Sequence, residues 1–141
     1  MSSRATQLQP AVEQARQRSE DALAKLASQQ QLLAKAEQQL TELRRYRQEY
    51  AETGDGALSV TALLNRQQFV ERIDQAIVQQ TAEVGRQNRQ LAQVRDRWQQ
   101  AHARESALDS VVAQHREQER RAEDRHEQAE VDERMQHRRL R

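Results

Sequence analysis

From Leu8 to Tyr50, apolar residues return at alternating intervals of four and three. The positions are Leu8, Val12, Ala15, Ser19, Ala22, Leu26, Gln29, Leu33, Ala36, Leu40, Leu43, Arg47 and Tyr50. Ser19, Gln29 and Arg47 are the polar exceptions. A period of 3.5 held over about six heptads keeps one face of a helix turned toward a partner helix, which is the signature of a coiled-coil seam. Few other folds tolerate such a pattern.

A second seam follows. It reads Phe69, Ile73, Ile77, Gln80, Val84, Gln87, Leu91, Val94, Trp98, Ala101, Glu105, Leu108 and Val112. Folded back on the first, it matches apolar to apolar where paired residue numbers sum to about 120. Leu26 then meets Val94, Leu43 meets Ile77, and Ala22 leaves room for Trp98. The expected fold is all-α: a long antiparallel two-helix coiled coil, a helical hairpin in one domain spanning 1–141. The pairing leaves residues after about 113 without a partner, and charged residues crowd that stretch. An unpaired C-terminal helical extension is expected there, frayed or flexible after about Gln114.

Between the seams lies YAETGDGALSVTALLNRQQF, residues 50–69, with two of the three glycines. The first helix is expected over about 5–52, a loop over about 53–64, and the second helix over about 65–140. Gly54 or Gly56 suits the left-handed end of the first helix. Asn65 with Gln68 resembles a capping box, and Ser59 can cap a short turn through Leu63 and Leu64. Pro10 is expected in a first turn, where proline is tolerated. Gly85 and the seam glutamines should weaken the pair.

Composition agrees. Hydrophobic residues are 35%, aromatics 3% and charged residues 32%, so burial must be thin and linear rather than globular. The net charge of +1 and the interspersed signs speak against a dedicated nucleic-acid binder. With no cysteine, no disulfide or thiolate site exists. No apolar run approaches a membrane span, and MSSRATQLQP lacks a signal-peptide core. A soluble, cytoplasmic chain is expected.

Enzymatic chemistry finds no footing. Gly54, Gly56 and Gly85 form no phosphate loop, and the only lysines are Lys25 and Lys35. His115, His126 and His137 are spaced by eleven, whereas metal ligands on one helix need spacings of three or four. With His102 they read as exposed polar residues. Asp132 and Glu133 have no pocket to perturb them. The basic close RMQHRRLR reads as an ordinary charged helix end that suits the dipole, with contact to phosphates or an acidic protein surface as the alternative. No enzyme, no cofactor and no metal are expected.

The aromatics carry the functional signal. Trp98, Tyr50 and Phe69 fall on seams, so packing explains them. Tyr46 does not. It shares a stripe with Gln39, Leu43 and Tyr50, while Ile73, Ala76 and Gln80 continue from Phe69. A helix pair has two sides open to water, so this end is expected to carry an apolar patch of the kind that marks partner sites.

The stretches EQQLTELRRYRQEY, NRQQFVERIDQAI and RDRWQQ, with a loop and short helix between the first two, resemble the flagellar export protein FliJ family. The resemblance covers most of the chain and is sharpest from Glu37 to Trp98. It implies a stalk-like coiled coil of the flagellar type III export apparatus. The implied partners are the hexameric export ATPase (FliI-like), the cytoplasmic domain of the export gate (FlhA-like) and export chaperones, at the cytoplasmic face of the inner membrane. The family's gate contact falls on Gln39, Leu43, Tyr46, Tyr50, Phe69, Ile73, Ala76 and Gln80. Gln80 stands where the family can carry a titratable side chain. The stalk of a virulence-type secretion system and a self-associating structural coiled coil are the alternative readings.

Overall fold

The computed structural model describes residues 3–52 and 59–140. Two helices account for nearly all of them: α1, Arg4–Glu52, and α2, Val60–Arg139. Both begin at a serine. Ser3 Oγ accepts from Thr6 N at 3.1 Å, and Ser59 Oγ accepts from Ala62 N at 3.1 Å. Each cap satisfies one of the amide donors that a helix start leaves unpaired.

The second cap shifts a boundary. α2 starts at Val60 rather than near Asn65, because Ser59 caps a turn that runs on into the helix instead of standing apart. The anticipated capping box is therefore inside α2. The expected glycine cap at Gly54 or Gly56 lies outside the described residues. Pro10 also departs from expectation. α1 begins at Arg4, so Pro10 sits in its second turn, where it has no N–H to give to the Thr6 carbonyl. The helix continues through it.

The chain divides into two compact units, one from the described residues of Met1–Asp21 and Gln99–Arg141, the other from those of Ala22–Trp98. In the second unit the helices run antiparallel. Cross-helix partners stand 58 residues apart at Gln29 and Gln87, 44 apart at Ala36 and Gln80, and 27 apart at Arg47 and Asp74. Leu26, Leu91 and Val94 form its buried cluster, with Leu33 and Trp98 packed against them. Leu26 and Val94, expected to meet, fall in the same cluster. Along the first seam every position is buried or half-buried except Arg47; along the second, every position except Phe69.

In the first unit Ala5, Ala15, Ser19 and Val112 are buried. Ala5 N donates to Glu119 Oε1 at 3.4 Å. A carboxylate is favoured there, because the start of a helix presents unpaired N–H groups and the positive end of its dipole. This contact carries partial burial on α2 as far as Glu119, beyond the expected limit near residue 113. From 121 to 140 every residue is exposed. Residues 121–139 remain helical, and side-chain contacts one turn apart line this end of α2, among them Arg120 with Glu117 and Asp124, and His126 Nε2 with Glu130 Oε1 at 3.2 Å.

No helix among the described residues is long and apolar enough to cross a membrane.

Candidate partner-binding site

The last turns of α1 and the early turns of α2 bring two stripes together in the second unit. Gln39, Leu43, Tyr46 and Tyr50 descend α1 at spacings of four, three and four. Phe69, Ile73, Ala76 and Gln80 ascend α2 at the same spacings. Residues so spaced share a helix face.

The stripes are joined at both ends. At one, the ring centroids of Tyr50 and Phe69 are 4.6 Å apart, with their planes tilted by 33°. At the other, Gln80 Nε2 donates to the Ala36 carbonyl at 3.0 Å and to Gln39 Oε1 at 3.2 Å. Between them Arg47 forms an ion pair with Asp74 across the helices. That bond to Asp74, and then its charge, holds the Arg47 guanidinium above its ordinary pKa. Both partners are about half exposed, so the pair aligns the helices more than it stabilises them.

The eight residues are not equally available. Tyr46 is 52% exposed and Phe69 is 41% exposed, so each offers a large part of its ring to water. Gln39 is exposed as well. Leu43, Tyr50, Ala76 and Gln80 are half-buried. Ile73, at 7%, belongs to the core and supports the surface from beneath. Its heptad position signals that burial, which a stripe drawn only from Phe69 overlooks.

Two features escaped the sequence reading. The Arg47–Asp74 pair requires the register to be known to within a turn. The apolar surface also extends past Phe69, since Val60, Leu63 and Leu64 are exposed in the first turns of α2. The Leu-Leu pair ahead of the seam was the available signal. Leu23, Leu32 and Val78 are further exposed apolar side chains in this unit, scattered rather than joined to the aromatics.

Among the described residues no three of His, Asp and Glu gather closely enough to hold a metal ion. Glu83 is held down to about 2, first by its hydrogen bond from Arg86 and then by one from Gln87. Its carboxylate oxygens accept from those donors. An aromatic and amide surface on a paired helical scaffold is suited to recognising another protein.

The sequence profile of the family described as Flagellar FliJ protein matches residues 3–141. No curated protein and no solved structure matches the chain.

Proposed function

The chain belongs to the flagellar FliJ protein family, and from that membership we propose that it serves flagellar type III export as a stalk-like adaptor. The family is a non-catalytic part of the export apparatus. In this reading the helix pair inserts into the ring of the hexameric export ATPase. The end bearing Tyr46, Tyr50 and Phe69 contacts the cytoplasmic domain of the export gate. Export chaperones bind the same protein, which works at the cytoplasmic face of the inner membrane.

The observation that carries the site is the exposure of Tyr46 and Phe69 beside one another's stripes. Large aromatic side chains left half in water at the end of a narrow core are costly to a lone protein and useful to a pair. The stretch of α2 from 121 to 140 supports the stalk reading in a second way. Every residue there is exposed, with charges of both signs, and we take it as an unpaired extension that gives a ring of identical subunits one asymmetric contact.

The reading is tested by complementation. A strain lacking this chain should assemble few filaments, and the wild-type chain should restore them. A chain with Tyr46→Ala and Phe69→Ala should accumulate normally yet restore few. Full motility from that variant would remove the aromatic end from the mechanism.

A further inference from the structure

Two glutamines occupy the middle of an apolar seam. Gln29 and Gln87 are 7% and 8% exposed, and their seam neighbours are Leu26, Leu33, Val84 and Leu91. A buried amide is unfavourable unless its donors and acceptors are met. Here they are met across the helices. Gln29 Nε2 donates to Gln87 Oε1 at 2.6 Å and lies 3.3 Å from the Gln87 carbonyl oxygen. The Gln87 amide is itself oriented: its Nε2 donates to Glu83 Oε1 at 2.9 Å, and Arg86 binds both oxygens of that carboxylate. The acceptor of Gln87 is thereby turned toward Gln29.

We propose that the Gln29–Gln87 layer is the register key of the helix pair, a positioning device that selects the alignment setting Tyr50 against Phe69. The apolar pattern does not make this selection, because a slip of one heptad keeps seam against seam. The connection does not make it either. A one-heptad slip moves a helix by about 10 Å, and the chain from 53 to 59 reaches about 24 Å when extended. The amides do discriminate. Slipped one way, the place of Gln87 opposite Gln29 passes to Val94, and Gln87 finds Ala36. Slipped the other way, Gln29 finds Gln80, but Gln87 finds Ala22. Either slip strips a buried amide of its cross-helix partner. A polar residue at one seam position is known to fix coiled-coil alignment while lowering stability.

The test needs no export partner, so it stands or falls apart from the functional reading. Spin labels go at Glu42 and Gln93, both exposed and offset along the axis, in samples diluted with unlabelled protein. A one-heptad slip then changes their separation by roughly 8 Å. The wild-type chain should give one distance population. With Gln29→Leu and Gln87→Leu together, the Tm should rise while a second population appears at the shifted distance. One population at the wild-type separation in the double variant would overturn the proposal. So would a double variant that melts below wild type, because two added leucines bury more apolar surface and only a structural need for the amides would lower stability.

Discussion

The rings of Tyr50 and Phe69 face each other across the two helices at 4.6 Å, yet Phe69 remains 41% exposed. The ring therefore packs against Tyr50 while a large part of it meets water. Trp98 differs, being packed against the buried cluster of Leu26, Leu91 and Val94. Trp98→Ala should therefore destabilise the pair by about 3 kcal/mol, the low end for a large aromatic because Trp98 is only half-buried. Phe69→Ala should lose about 1 kcal/mol, in the range of an aromatic contact at an open edge. Denaturant melts followed by circular dichroism check the order, and an equal loss at both sites would contradict it.

Gly85 and Pro10 interrupt otherwise strong helix formers. A Cβ at Gly85 would meet only Arg89 Nη1, at 3.5 Å, an ordinary contact with the far end of a flexible side chain. Gly85→Ala should stabilise by about 1 kcal/mol. Pro10→Ala restores a donor to the Thr6 carbonyl and should also stabilise, by up to about 3 kcal/mol, less near a fraying end. A lower Tm in either variant would mean that the native residue is needed for a packing contact.

Acid should loosen the Gln87 layer. Glu83 titrates at about 2 in the folded chain against an ordinary 4.5. A lowered folded pKa favours the fold above the unfolded value, and that contribution fades as pH falls from 4.5 toward 2. Near neutral pH the contribution is fully present, so stability should not change with pH through Glu83. Arg86→Gln removes the main cause of the shift, so the Glu83 carboxyl should titrate closer to its ordinary value by NMR. A wild-type Glu83 titrating near 4.5 would contradict the geometry.

Residues 121–139 are helical without burial. Ion pairs one turn apart contribute only a few tenths of a kcal/mol each, so this helix opens readily. Amide exchange there should be far faster than around Leu91, which lies in the core. Protection equal to that of Leu91 in the free chain would show that the stretch is covered.

The helix pair was legible because a 3.5-residue period states directly which face is buried. Leu26, Leu91 and Val94 were all named by that period. The start of α2 was not legible, since Ser59 and Asn65 both carry capping chemistry and only the backbone decides between them. Nor were the cross-helix bonds of Gln29 and of Arg47. Seam arithmetic leaves slips of a whole heptad open, whereas a hydrogen bond demands alignment to a fraction of a turn. Tyr46 was placed outside the core because it falls off the seam, and its exposure agrees. The identity of any partner lies beyond periodicity and enters through the family.

The aromatic end is tested most directly by calorimetric titration of the export gate's cytoplasmic domain into the wild-type chain and into the Tyr46→Ala, Phe69→Ala variant. Aromatic anchors supply about 2 kcal/mol or more at a hot spot, so the double variant should bind some thirtyfold more weakly, by roughly 1.4 kcal/mol per decade. Its helicity should stay close to that of wild type, because both rings stand at the open edge of the core. Binding at wild-type affinity by a folded double variant would contradict the assignment of this surface to the gate.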